Sequence, residues 1–265
     1  MTCWPAGSQE TAIIQREQKL RDWFTRGCDS IQKEVDGLDI GWGGVQRWVT
    51  ARMPPLAEEL HLDLACGYAT FLAQLGWRFP GVRLVGLNID FEGAHALARP
   101  LLQEAGVEAE LVQADARRIP FGDNTFGSAS CFLGLQDIEI GFGERGVLAA
   151  VAETVRVLRP EGVFSLVDEF SFEQFDALLG RLPVVVIDRA ARALEVRWNR
   201  EVAERAIGLY AEGWVAQARI IDRVAQQQAR IEVYNQMEQE MERQLVTQGY
   251  YIPFGPVRLV VARKR

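Results

Sequence analysis

The sequence predicts an α/β fold, an open sheet of largely parallel strands with helices on both faces. Two observations carry the prediction. In His61–Thr70, HLDLACGYAT, an apolar run closes in an acid and a small-residue turn, a helical pattern follows, and a second apolar run ends at Val85–Asp90, VGLNID. This reads as strand, tight turn, helix, strand, the opening βαβ unit of a sheet that binds a nucleotide-like ligand at its strand ends. From that opening strand to Glu169 the order is β, α, β, α, β, β, α, β, in short apolar runs of the kind parallel strands need when both faces are buried.

Ahead of that unit, residues 8–26 carry Ile13, Ile14, Leu20, Trp23 and Phe24 at helical spacing, with Ser8 as a cap and Gly27 as a stop. Asp36–Val49 holds three glycines around Trp42, which predicts a loop lying close to a ligand or another backbone, or a turn that packs the tryptophan. Pro54 and Pro55 then lead through LAEEL to the first strand. After the tight turn, Phe71, Leu72, Leu75 and Phe79 share one helical face. A second helix is expected over 92–105, kinked at Pro100. Strands are expected at 109–113 and 126–132, a helix over 144–158, and, after a turn at 159–162, a strand at 163–167 that ends in Asp168 and Glu169. Beyond Phe170 the pattern changes to a short helix (172–180), two apolar runs (184–188 and 193–198), and a long helical stretch to 247 broken at Gly208 and Gly213. YYIPF and PVRLVVARKR read as a closing pair of strands.

Composition narrows the function. The chain of 265 residues, 48% hydrophobic and 25% charged, has the make-up of a folded globular protein. A net charge of −7 disfavours a nucleic-acid partner, because such affinity rests on neutralising phosphates. The four cysteines are widely spaced with no CxxC, which suits a reducing, cytoplasmic compartment and offers no metal-ligand spacing. No apolar run reaches the roughly 18 residues of a membrane span, and the N-terminus lacks the pattern of a secretory signal.

Three strand ends carry the chemistry. Asp63 opens D-x-A-x-G-x-A, whose small residues Ala65, Gly67 and Ala69 let the backbone turn sharply against a ligand, with Cys66 between them. Twenty-one residues after Gly67, Asn88 ends the second strand, with Asp90 two further on, where an amide or carboxylate can bond ribose hydroxyls. A nicotinamide dinucleotide and S-adenosylmethionine both carry such a ribose. Asp115 distinguishes them, since an acid in a short turn after the third strand can accept the adenine amino group. A full G-x-G-x-x-G is missing, which argues against the dinucleotide.

LDLACGYAT, VGLNID, QADARRIPFGDNTFG and RVLRPEG occur in the order and approximate spacing of the class I S-adenosylmethionine-dependent methyltransferases, and residues 58–170 resemble that family. The resemblance implies a three-layer Rossmann-like sheet of seven strands, mostly parallel with the last antiparallel. It also implies S-adenosylmethionine across the C-terminal ends of strands one to four. By position, Asp63, Ala65 and Gly67 match the motif for methionine and ribose, Asn88 stands where the family usually has an acid, and Ile89 would flank adenine. Asp115 and Ala116 match the adenine contacts, and Cys131 with Phe132 would line the methionine side. Ala69, Gly127 and Glu161 also depart from the family pattern.

Methyl transfer is an in-line displacement for which alignment can suffice, with a base where the acceptor must shed a proton. His61 and His95 read as lying on the wrong side or at the wrong depth for the ligand edge. Asp137, Glu139, Asp168 and Glu169 remain as candidate acids there. Trp42, Trp198, Tyr210 and Trp214 are aromatic candidates for an apolar acceptor site. The expected organisation is a helical cap (1–53), the cofactor-binding core (54–169), a helical, substrate-covering insertion after strand five (170–222), and a last helix with the closing strands (223–265). The stripe of Ile231, Tyr234, Met237, Met241 and Leu245 on the 225–247 helix could pack on a second subunit, giving a homodimer. The leading reading is a methyltransferase for a small, partly apolar molecule; the alternative is a noncatalytic S-adenosylmethionine-binding relative.

Overall fold

The computed structural model describes residues 6–41, 44–56, 60–93, 95–194, 196–218 and 220–265. Three helices, α1 (Ala6–Phe24), α2 (Ser30–Gly41) and α3 (Val45–Arg52), precede β1 (Leu60–Leu64). Then come α4 (Thr70–Arg78), β2 (Arg83–Asn88), α5 (Ala98–Ala105), β3 (Ala109–Gln113), β4 (Phe126–Phe132), α6 (Leu135–Val157) and β5 (Leu158–Asp168). The chain closes with α7 (Phe172–Leu179), β6 (Val184–Arg192), α8 (Arg200–Gln217), α9 (Arg223–Gln248) and β7 (Val257–Lys264). All seven strands share one sheet in the order β3-β2-β1-β4-β5-β7-β6, parallel from β3 to β5, with β7 antiparallel to both neighbours.

The strand sequences explain the layering. Alternate residues face opposite sides, and both sides are apolar. Leu62, Leu64, Leu87, Cys131 and Leu166 pack with Val147, Val151 and Val155 of α6. On the opposite side, Val167, Leu259 and Val261 pack with Leu72 of α4, Val49 of α3 and Ile207 of α8. The exception is β1 and β4, where His61 pairs with Ser128 and Asp63 with Ser130, a polar patch inside the sheet.

Several expectations are corrected. Asp36–Gly41 is helical and α3 starts at Val45, so the expected glycine loop is largely helix; buried Gly37 admits the Arg21 side chain of α1, from which a Cβ would lie 3.4 Å. Trp42 lies outside the described residues. The first helix begins at Ala6, placing Ser8 inside it. The second helix of the core starts only at Ala98, so Pro100 falls in its first turn, where its N–H would have no partner in any case, and it introduces no kink. Leu135–Phe142, expected as loop, is the first part of α6, which bends at Gly143 (φ 65°).

Further along, Gly208 and Gly213 sit within α8, held helical by buried Val202, Ala206, Ile207 and Val215 on its inner face. Val184–Arg192, expected within the insertion, is the sheet's edge strand, so the long helical excursion comes between β6 and β7. The expected closing pair reduces to β7 and a single bridge between Tyr251 and Trp198. The α9 stripe is largely used within the chain: Met241 is buried, and Tyr234, Met237 and Leu245 pack against the same core, while Ile231 is exposed. No described helix is long and apolar enough to cross a membrane.

Gly86 fixes how closely α4 approaches the sheet. A Cβ there would lie 2.5 Å from Leu72, 2.8 Å from the Cys66 sulfur and 2.9 Å from Leu111. Gly86→Ala is expected to cost about 1–3 kcal/mol in urea unfolding through overpacking, and an unchanged midpoint would refute that contact.

Candidate functional site

The turn after β1 leaves the sheet through three left-handed residues, Ala65 (φ 49°), Gly67 (φ 50°) and Ala69 (φ 66°). The family glycine missing at Ala69 is thus replaced by an alanine held in glycine's conformation, at a cost of about 1–2 kcal/mol for the Cβ. Two bonds hold the turn: Cys66 N–H donates to Leu87 O (3.1 Å) and Ala69 N–H to Cys66 O (2.7 Å). Ala69 is the N-cap of α4 and offers no side-chain acceptor to the helix's first N–H groups. Gly134, after β4, must also be small, since a Cβ there would meet the Ala65 Cβ at 2.5 Å.

Above this turn lies a cavity of about 300 Å³. Its walls bring together Ala65 and Gly67 after β1, Asn88, Ile89 and Asp90 after β2, and Asp115 and Ala116 after β3. Asp137, Ile138 and Phe142 of α6, His95, and Ala216 near the end of α8 complete it.

Asn88 is buried, and its Nδ2 donates to Asp90 O (2.8 Å) and to His95 Nδ1 (3.0 Å). With Nδ1 accepting, His95 carries its proton on Nε2. Burial lowers the His95 pKa, so the ring is neutral near pH 7. Asp90 instead turns its Oδ1 onto the N–H groups of Glu92 and Gly93, which makes it a turn former. Asp115 is gripped by Arg117, whose Nε and Nη2 both reach its carboxylate, and the guanidinium stacks 3.4 Å from the Phe142 ring centroid.

The four candidate acids separate. Asp168 is fully buried and accepts from the N–H groups of Leu135 and Gln136 at the start of α6 and from Glu169 N–H, so it anchors that helix. Glu169 accepts from Gly255 N–H, and Glu139 lines a separate, smaller cavity between α6 and α7. Asp137 alone of the four lines the larger cavity.

Of the other expected residues, Asp63 is buried beneath the turn with its Oδ1 2.5 Å from Ser130 Oγ, while its Oδ2 has no hydrogen-bond partner among the described residues. Cys66 and Cys131 are buried, and Phe132 stacks on Phe71; none of the three lines the cavity. Trp198 is wholly buried in a cluster with Tyr210 and Phe254, away from the cavity walls. Trp214 is exposed on α8, two residues from Ala216. His95 and Phe142 were missed. Placing Pro100 in a first helical turn would have put His95 in the loop on the ligand side.

A parallel sheet whose strand order reverses beside β1, with a cavity at the C-terminal ends of β1, β2 and β3, defines a Rossmann-like protein for a nucleotide-type ligand. Residues 62–166 match the methyltransferase domain family. A demethylmenaquinone methyltransferase of Thermus thermophilus is 33% identical over 154 residues, 55% of this chain and 68% of that protein. One of Corynebacterium kroppenstedtii is 29% identical over 167 residues, covering 58% of this chain and 62% of that one. The chain belongs to the class I S-adenosylmethionine-dependent methyltransferases. Among solved structures, the YcgJ protein of Bacillus subtilis (TM-score 0.56, 17% identity, 84% of this chain and 98% of that one) has the same fold. So does the [4+2]-cyclase SpnF (TM-score 0.56, 17%, 84% and 81%). Geranyl diphosphate methyltransferase in complex with SAM shares it too (TM-score 0.51, 13%, 91% and 93%).

Burial pushes both Asp63 and Asp168 up from 3.8 to about 7. The folded chain therefore holds these protons more tightly than the unfolded one, and their contribution to stability is full below about pH 4 and lost as pH rises through about 7. Asp63→Asn should flatten the fall of unfolding free energy across that window in urea titrations at several pH values. An unaltered slope would rule out a proton on Asp63.

Proposed function

We propose that this chain binds S-adenosylmethionine in the cavity above β1, β2 and β3 and transfers its methyl group to a small, partly apolar acceptor. The observation that carries the reading is the convergence of three separate strand ends on one cavity, Ala65 with Gly67, residues 88–90, and Asp115 with Ala116. The residues suit the cofactor. Asp63 has a buried carboxylate oxygen without a hydrogen-bond partner among the described residues, suited to the ammonium end. The Asn88 amide oxygen and the His95 Nε2–H offer the ribose hydroxyls an acceptor and a donor, which offsets the missing acid. Ile89 and Phe142 offer apolar surface to adenine, and Asp115 accepts its amino group by yielding one of its bonds from Arg117.

When bound, the cofactor supplies an electrophilic methyl carbon on a sulfonium. The chain's part is to hold the acceptor atom in line and exclude water. Where the acceptor sheds a proton, Asp137 takes it. Helices α1 to α3 and α8, with Trp214 two residues from Ala216 of the cavity wall, form the cover. The names of the curated relatives make demethylmenaquinone, supplied in its reduced hydroquinone form, the first acceptor to test.

Calorimetry should detect S-adenosylmethionine and its demethylated product, and Asp115→Ala should weaken both about 10-fold to 100-fold, the worth of a charged hydrogen bond. Absence of binding at millimolar ligand would overturn the reading. With a hydroquinone acceptor, Asp137→Asn should lower kcat about 100-fold or more while leaving cofactor affinity within about twofold; an unchanged kcat would remove the base. Binding without transfer to quinol, phenol or amine acceptors would favour the noncatalytic alternative.

A further inference from the structure

Beneath the turn, one face of β1 and β4 carries an unbroken polar chain. Ser128 Oγ lies 2.8 Å from His61 Nδ1, His61 Nε2 lies 2.9 Å from Ser130 Oγ, and Ser130 Oγ lies 2.5 Å from Asp63 Oδ1. The strand register sets this up, because His61 and Asp63 point the same way and each pairs with a serine of β4. His61 and Ser130 are 0% exposed and Asp63 1%, so water does not substitute for any link. A buried histidine bonded at both nitrogens in an apolar sheet is an expensive choice unless the chain acts on what lies at its end.

The links have only two consistent directions. With Asp63 ionised, Ser128 O–H donates to Nδ1, Nε2–H to Ser130, and Ser130 O–H to Asp63. With Asp63 protonated on Oδ1, every bond runs the other way, and the ring carries its proton on Nδ1. Burial holds the His61 pKa down to about 3, so the ring stays neutral and changes only its tautomer.

Among the described residues no charged group forms an ion pair with His61 or Asp63. The thiols of Cys66 and Cys131 feel Asp63, with Asp168 and Asp137 beyond Cys131. From the covering helices, Glu17 and Arg47 pair with each other, and Arg200 and Arg205 of α8 are exposed and paired with Glu204, Glu242 and Asp29.

We propose that Ser128, His61 and Ser130 are positioning residues that fix Asp63 for the cofactor's ammonium end, and that cofactor binding reverses their hydrogen-bond chain, moving the His61 proton from Nδ1 to Nε2. This rests on the cofactor site proposed above. In the reversal the Asp63 O–H bond breaks as Ser130 gains that proton, Ser130's own proton moves to Nε2, the Nδ1 proton moves to Ser128, and Ser128's proton leaves to solvent. One proton is released per cofactor bound.

The test uses the wild-type chain at pH 6. Imidazole 15N NMR should report Nδ1–H for His61 in the free protein and Nε2–H with saturating S-adenosylhomocysteine. Calorimetry in buffers of different ionisation heat should count close to one released proton, and affinity should fall close to tenfold per pH unit below about 7. Ser130→Ala should abolish both the tautomer change and the proton release. Ligand binding with a constant His61 tautomer, or with no proton released, overturns the proposal and leaves the cofactor site standing. No binding at all overturns both.

Discussion

Everything at the ligand edge depends on how β1 ends. The strand must stop, reverse into α4 and expose backbone within a few residues, which requires left-handed conformations at 65, 67 and 69. Only one of these is glycine. The strain at Ala65 and Ala69 persists because their surroundings leave no alternative: Gly134 presses on Ala65, Leu87 O captures the Cys66 N–H, and Ala69 is wholly buried. Gly86 lets α4 sit close enough for the turn to be this short. The cavity is what this closeness leaves on the other side.

The core sheet was legible in the sequence because its signals are local. Runs such as LHLDL, AELVQ and FGSASCF carry strand length, apolarity and turn residues within a few positions of one another. The N-terminal and C-terminal helices were less legible, since their glycines signal breaks that tertiary packing overrides. Gly208 and Gly213 remain helical because the opposite face of α8 is buried, a fact no local window contains. Edge strand β6 was hidden for a related reason: it alternates in burial, and its partner β7 lies more than sixty residues further on.

The candidate site divides similarly. Residues fixed by the backbone of strand ends, Ala65, Gly67, Asn88, Ile89, Asp115 and Ala116, converge as their positions imply. Side chains chosen for their chemistry scatter. Asp168 caps a helix, Glu169 accepts from Gly255 N–H and Trp198 fills a core, whereas His95, read as lying away from the ligand edge, swings into the wall. Position along a strand dictates where an atom goes, whereas a carboxylate or an indole can be useful in many places. Even the fold leaves the reaction open, since a [4+2]-cyclase and a methyltransferase share it.

The carboxylates on the cavity wall have a consequence of their own. Asp90, Asp115 and Asp137 line it with no Lys or Arg among the described lining residues, and Arg117, paired with Asp115, offsets one charge of the three. A polyphosphate entering this space would meet like charge in a partly enclosed, low-dielectric setting, where repulsion is felt most strongly. Adenine nucleotides are abundant metabolites and share the adenosine half of the proposed ligand. For the ligand proposed above, a wall of this charge disfavours ATP and its relatives relative to a cationic sulfonium.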